Sequence, residues 1–296
     1  MLIKEGLEKW PKILIAAHMD EVALMITEIT SEGFLKFLPV GGIDPRILVS
    51  KPVKISGCNG VIGSKAIHLQ KPQERQQALK LDQLYIDIGA SSKEEAAKHI
   101  KLGDYAYFVT KFEPLGQGYY KGKAFDDRIG CFVLTEILKK EYPVSLIAAF
   151  TVQEEVGLRG SQVAAYHTQP DFAIILEGTV SADMAHVEEE DWVTELGNGP
   201  ALSIQDRTTL YNPRLIQQVI NLADQKKIPL QFRRGTSGGN DAGRIHTSRE
   251  GVPSLTINVP CRYIHSCASV VSQADIRNTI QLVEEILKSK FLGEGV

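Results

Sequence analysis

The chain has 296 residues, 43% of them hydrophobic, and a formal net charge of −3. Its length supports one large domain or two modest ones, each with its own core, and its apolar share is globular rather than disordered. The charge gives no basis for nucleic acid or anionic lipid as a partner.

No apolar run in the sequence is long enough to span a membrane. The opening MLIKEGLEKWPKILIAAHMDE places acidic and polar residues around a short apolar stretch that runs straight into charge. It has no cleavage site, so a signal peptide is not expected. The four cysteines (Cys58, Cys131, Cys261 and Cys267) lack CxxC spacing, which predicts reduced thiols in a cytoplasmic protein.

Taken in chain order, Ile13–Ala17 is a short apolar run of the kind that forms a buried strand. From Val22 to Gly118 the texture changes. Short alternating segments (Leu24–Ile29, Phe34–Pro39, Val53–Ile55 and Tyr105–Thr110) are separated by turn signals such as Gly41-Gly42 and Asp44-Pro45. One short helix is expected around Ser92–His99. A helix then follows from Asp127 to Lys140, with Ile129, Phe132, Val133 and Ile137 on one face. Ser145–Phe150 and Phe172–Leu176 are the next buried strands.

Asn212-Pro213 reads as a cap followed by proline at the first helical position, with Leu215, Val219, Leu222 and Ala223 turned inward. Leu255–Val259 is a further apolar strand. Ser272-Gln-Ala-Asp275 resembles a capping box that opens a last helix striped by Ile276, Ile280, Val283 and Leu287. The pattern predicts an α/β fold, a mixed sheet covered by helices on both faces. The sheet domain is expected to be discontinuous (1–21 and 119–296), with a small β-rich domain inserted at 22–118.

The ends of the apolar strands carry the chemistry, as is usual in open α/β sheets. Ile13–Ala17 runs into His18-Met-Asp20, Ser145–Phe150 into Thr151-Val-Gln-Glu154-Glu155, Phe172–Leu176 into Glu177, and Leu255–Val259 towards Arg262-Tyr-Ile-His265. Asp126-Asp127 stands at the start of a helix. Singly, each has an ordinary reading: a hydrogen-bonded histidine, a helix cap, a pair of solvated carboxylates. Together they differ, because converging carboxylates repel and a bound cation is the simplest compensation. Two histidines with three carboxylates suit zinc, cobalt or manganese.

These blocks carry a resemblance. His18-Met-Asp-Glu-Val, Lys123-Ala-Phe-Asp-Asp-Arg-Ile-Gly130, Gln153-Glu-Glu-Val-Gly-Leu-Arg-Gly160 and Arg262-Tyr-Ile-His-Ser266 are similar to the signature blocks of the glutamyl aminopeptidase family of dinuclear metallopeptidases. The inserted segment resembles it through Gly60-Val-Ile-Gly63, His68-Leu69, Tyr85-Ile-Asp-Ile-Gly-Ala90 and Gly103-Asp104. The resemblance implies an aminopeptidase acting on peptides, with two divalent metal ions per subunit. Asp126 would bridge them, His18 and Glu177 would complete one site, and Glu155 and His265 the other. Asp20 would accept a hydrogen bond from the His18 ring, Asp127 would support Asp126, and Glu154 would be the general base.

The segment Gly235-Thr-Ser-Gly-Gly-Asn-Asp241 resembles the family's glycine-rich lining of the substrate crevice, which makes Gly238, Gly239 and Asp241 candidate substrate contacts. The resemblance further implies a homo-oligomer, from a dimer up to a dodecamer, built through the insert. Arg233, Arg234 and Arg244 are candidates for attracting an acidic first residue.

Seventeen residues precede His18, fewer than family members usually carry, so the expectation is either a relative with a shortened amino terminus or a start that lies downstream of the true one. Two other readings of the residues stay open. One is a non-catalytic assembly or binding subunit. The other is a metal-dependent deacylase or hydrolase of non-peptide substrates.

Overall fold

A computed structural model of the protein describes residues 2–4 and 11–289. β1 (Leu2–Lys4) and β2 (Lys12–His18) open the chain, and β2 is buried from Ile13 to its last residue. The chain then forms a closed six-stranded barrel from β3 (Ala23–Ile29), β4 (Leu35–Val40), β5 (Pro52–Ile55), β6 (Cys58–Ser64), β7 (Leu84–Asp87) and β8 (Tyr105–Phe108). Two single-turn helices, α1 (Pro72–Arg75) and α2 (Lys93–Ala96), lie in its connections. The Ser92 hydroxyl caps α2 by accepting from Glu95 N at 3.2 Å.

The barrel order is β3-β4-β7-β6-β5-β8, with antiparallel pairing throughout. Exposed and buried residues alternate along β5 and β8. That is the period of a strand with one face in a core, here made by residues such as Leu24, Leu35, Ile55, Ile62 and Ile86.

The second half of the chain runs through β9 (Glu113–Leu115), β10 (Tyr119–Gly122), α3 (Phe125–Ile137), β11 (Ser145–Thr151), α4 (Arg159–Thr168), β12 (Phe172–Val180), β13 (Ala201–Ser203) and α5 (Pro213–Lys226). It finishes with β14 (Gln231–Arg233), α6 (Ala242–Ile245), β15 (Ser254–Arg262), β16 (Ser269–Ser272) and α7 (Gln273–Lys288). These strands join β1 and β2 in a ten-stranded mixed sheet of order β1-β11-β2-β12-β15-β16-β10-β9, with β13 on β15 and β14 on β13.

The centre, β11-β2-β12-β15, is parallel. Eight consecutive buried residues in β12 and again in β15 show that both faces are covered. α3 packs with α7 and α7 with α5, while α4 packs with α6. Each fully buried Ile or Leu in this core contributes roughly 1.5–3 kcal/mol.

The chain divides into two units. The sheet unit takes the described residues up to Asp20, then Glu113–Ile264, then those from Ser269 onward; the barrel unit takes Glu21–Phe112 and His265–Ala268. The segment after Phe112 goes with the sheet because β9 pairs with β10.

Two local expectations are corrected. Phe132 is 46% exposed, because the inward stripe of α3 runs through Ile129, Gly130, Val133, Leu134 and Ile137. Ser272 does cap α7, accepting from Ala274 N and Asp275 N. Asp275, however, does not close a capping box; its carboxylate accepts from Gly197 N at 2.7 Å and Gly199 N at 2.8 Å.

Candidate metal centre

β2 ends at His18 and β11 at Thr151, and their parallel register pairs these two residues. Met19 N donates to Thr151 O at 2.8 Å just beyond the pair. The His18 ring is 1% exposed. Its Nε2 lies 3.2 Å from Asp126 Oδ1, 3.5 Å from Glu177 Oε2 and 3.8 Å from Glu154 Oε2. Nδ1 is nearest to the Asp20 carbonyl oxygen, at 3.1 Å, with Asp20 Oδ1 at 3.5 Å. An Nδ1–H that donates to this carbonyl leaves the ring's lone pair on Nε2, the nitrogen that faces the carboxylates. The Asp20 carboxylate, expected as a partner of the ring, also serves the facing loop, where it accepts from Glu154 N and Glu155 N at 3.2 Å each.

Asp126 and Asp127 enter from the start of α3, where the backbone is not helical (φ −86°, ψ 106° and φ −119°, ψ 40°) and the peptide between them is cis. Asp127 is fully buried, and both its oxygens are engaged by backbone: His18 N donates to Oδ2 at 3.1 Å and Gly130 N to Oδ1 at 2.9 Å. Glycine is required at 130, since a Cβ there would stand 2.4 Å from Asp127 Oδ1. β12 carries Glu177 past the same corner, and a Cβ on the adjacent Gly178 would meet Asp126 Cα at 3.1 Å.

Two sets of side chains bring their ligand atoms within 4.8 Å of one another: His18 with Asp127 and Glu177, and His18 with Asp126 and Glu155. Glu177 is 5% exposed, and its Oε1 has no hydrogen-bond partner among the described residues.

The electrostatics agree with a place for positive charge. Burial alone would lower the His18 pKa, but the Asp126 and Asp20 hydrogen bonds and the Glu177 and Asp127 charges raise it well above its ordinary value. Burial pushes Glu177 and Asp127 well above the ordinary carboxylate range, with His18 opposing in each case. Glu154 is pushed up to about 8 by burial, opposed by His18 and reinforced by Asp126, Asp241 and Glu155. A cation among these groups relieves their mutual repulsion, and the nitrogen and oxygen donors suit zinc, cobalt or manganese.

The glycine-rich segment is tied down along its length. Arg233, the last residue of β14, donates from Nε to Thr179 Oγ1 (3.0 Å), from Nη1 to Gly235 O (3.2 Å) and from Nη2 to Ser237 O (2.5 Å). Arg207 N donates to Gly238 O at 2.9 Å. Asp241 is 1% exposed and accepts from Thr151 Oγ1 at 2.7 Å, so its carboxylate faces the interior. Arg234 donates from Nη1 to Glu189 O at 3.2 Å.

His265 falls in the short segment that groups with the barrel unit, at φ 55°, where a Cβ on Gly42 would lie 3.3 Å from its Nδ1. Sequence reasoning missed Thr151 and Thr179. The only signal was their place on strands that also carry or precede the acidic residues.

Comparison with known proteins gives the same direction. The family model described as M42 glutamyl aminopeptidase matches residues 1–282. A putative aminopeptidase of Acetivibrio thermocellus is 38% identical over 96% of this chain and 84% of its own length. The TET aminopeptidase of a marine sediment Thaumarchaeota archaeon superposes with a TM-score of 0.93 at 39% identity, covering 97% of this chain and 83% of that one. The TET1 peptidase of Pyrococcus horikoshii, which can assemble into a tetrahedron or a large octahedral shell, gives a TM-score of 0.84 at 33% identity over 96% of this chain and 86% of that one.

Proposed function

Because the chain belongs to the M42 glutamyl aminopeptidase family, we propose that Glu154 carries the proton as it removes the first residue of a peptide. Membership makes the protein an aminopeptidase, a hydrolase of peptide bonds. The observation that carries the rest is the buried His18 ring, whose Nε2 faces three carboxylates within 3.8 Å.

His18, Asp126, Glu155 and Glu177 would hold two divalent ions. His265 joins this set on the strength of the block Arg262-Tyr-Ile-His-Ser266 alone. Asp127 supports rather than ligates, since both its oxygens already accept a backbone N–H. Once bound, the ions would polarise the scissile carbonyl, strengthen water as a nucleophile and hold the substrate's free amino group.

The protein's own groups do the rest. The Glu154 carboxylate takes a proton from the attacking water and gives it to the leaving nitrogen as the C–N bond breaks. Burial raises its proton affinity above that of an ordinary carboxylate. Asp20 fixes the backbone of Glu154 and Glu155 while its carbonyl orients the His18 ring. The side chain of the first residue would lie along the glycine-rich segment at Gly238 and Gly239. The positive charge of Arg233 beside that segment, and the family's description, support a preference for an acidic first residue.

A homo-oligomer, from a dimer up to a dodecamer, is proposed from the assemblies of the P. horikoshii relative. A cytoplasmic location is proposed from the thiol pattern. No helix among the described residues is long and apolar enough to cross a membrane.

The test is a panel of glutamyl, aspartyl, lysyl and leucyl anilides offered to protein loaded in turn with zinc, cobalt and manganese. Fastest turnover of the acidic members supports the full proposal, and faster turnover of another member removes only the acidic preference. Hydrolysis of none of them, with turnover of an N-acyl amino acid instead, would replace the aminopeptidase mechanism with that of a deacylase.

A further inference from the structure

Asp241 stands at the residue that precedes α6, where an aspartate usually caps the helix, yet its side chain makes no capping hydrogen bond. It is turned instead into the interior, 1% exposed, with Oδ2 on the Thr151 hydroxyl at 2.7 Å. A carboxylate kept in the interior without a helix to cap is costly unless the contact it makes is needed. Thr151 is itself 4% exposed and is the last residue of β11, three positions before Glu154. Its carbonyl is already held by Met19 N at 2.8 Å, next to His18.

The far side of the same loop is held by Asp20 through Glu154 N and Glu155 N. Between these anchors lies Gln153, at a positive φ of 61°. The acidic pair is thus suspended from two fixed points, one of them made by the Thr151–Asp241 bond.

Asp241 is in turn immobilised through its neighbour. Asn240 Nδ2 donates to Asp206 Oδ2 at 3.0 Å and to Tyr211 Oη at 3.2 Å, while Asn240 Oδ1 accepts from Thr256 Oγ1 at 3.2 Å and from Ala242 N at 2.8 Å. Thr256 lies within β15 and is fully buried. This network roots the end of the glycine-rich segment in the central sheet. Every polar atom of the Asn240 side chain is thereby engaged, which favours a single arrangement of the residue next to Asp241.

We infer that Asp241 is a positioning residue, which through the Thr151 hydroxyl fixes the end of β11 and with it the Glu154–Glu155 pair. The inference rests on the roles proposed above for that pair, and it moves Asp241 from the substrate to the support of the site. Groups that hold ligands in place cost about 10–100-fold in metal affinity or activity when removed.

The test uses the full chain as Thr151→Val, Thr151→Ser and Asp241→Asn, each loaded with cobalt(II) and with zinc. Thr151→Val keeps the shape and removes the donor. It is expected to shift the cobalt d–d absorption bands and to lower kcat about tenfold with KM nearly unchanged, whereas Thr151→Ser restores both. Asp241→Asn retains an acceptor for Thr151 and is expected to move the bands the same way by less. A Thr151→Val protein with wild-type bands and wild-type kcat would overturn the inference. If that variant does not fold, wild-type bands and kcat in Asp241→Asn would overturn it. An inactive wild type would refute the aminopeptidase reading, while the cobalt bands of the variants would still report on the Thr151–Asp241 brace.

Discussion

The carboxylate of Asp20 accepts the backbone N–H of Glu154 at 3.2 Å, and its second oxygen accepts that of Glu155 at the same distance. A residue two positions beyond His18 thereby sets the backbone of the acidic loop after β11. The contact also holds the Asp20 pKa below its ordinary value. Burial opposes ionisation, and the His18 ring and the two N–H groups outweigh it.

Replacing Asp20 with alanine removes both acceptors at once. The expected result is a folded protein whose affinity for zinc falls about 10–100-fold, read by competition with a chelator. Asp20→Asn, which keeps one carbonyl oxygen, should fall between that variant and wild type.

Gly130→Ala tests the packing behind the site. The added methyl would start 2.4 Å from Asp127 Oδ1, so Asp127 or the first turn of α3 must move. Overpacking of this kind costs about 1–3 kcal/mol, measurable by urea unfolding. The His18 N to Asp127 bond should loosen with it, lowering metal retention further than the loss of stability alone explains.

The ion pair between Asp183 and Arg262 (2.6 Å) gives a pH signature. Burial opposes ionisation of Asp183. The Arg262 hydrogen bond, Leu196 N–H and the Ser181 hydroxyl nonetheless bring its pKa below the ordinary value. A carboxyl lowered in the folded state adds stability that is complete above its unfolded pKa and is lost as the pH falls through its folded pKa. Arg262→Met should therefore cost most near neutral pH, about 1–2 kcal/mol after discounting for the exposed side of the guanidinium. The gap between variant and wild type should narrow in acid. A gap independent of pH in urea titrations would contradict this.

Much of the sheet was legible because its central strands are unbroken apolar runs with polar ends. Ile13–Ala17 and Phe172–Leu176 admit no other reading once alternating helices are seen between them. The barrel was harder. β6 contains two glycines and is only sparsely buried, so its apolar alternation is weak, whereas Val53–Ile55 and the start of β8 carry a clean period of two.

Of the site, His18, Asp126, Glu155 and Glu177 were marked by their places at strand ends and at the start of a helix; the structure groups Asp126 and Glu155 with His18 in one set and Glu177 with His18 in another. What the sequence did not yield were roles set by side-chain direction. Asp20 reaches the backbone of Glu154 and Glu155 as well as the ring, Asp127 turns to backbone, and Asp241 turns inward to Thr151. Each of these aspartates has the composition of a ligand or substrate contact, and only the rotamer separates the two uses.

Glu154→Gln separates the proton carrier from the residues that would hold the two divalent ions. Metal content per chain and hydrolysis of glutamyl anilide should be measured together on the variant and the wild type. Metal content should be equal in both, with turnover reduced by about 10²–10⁴-fold in the variant. A variant that loses metal would make Glu154 a ligand, and one that keeps wild-type turnover would contradict its role as the proton carrier.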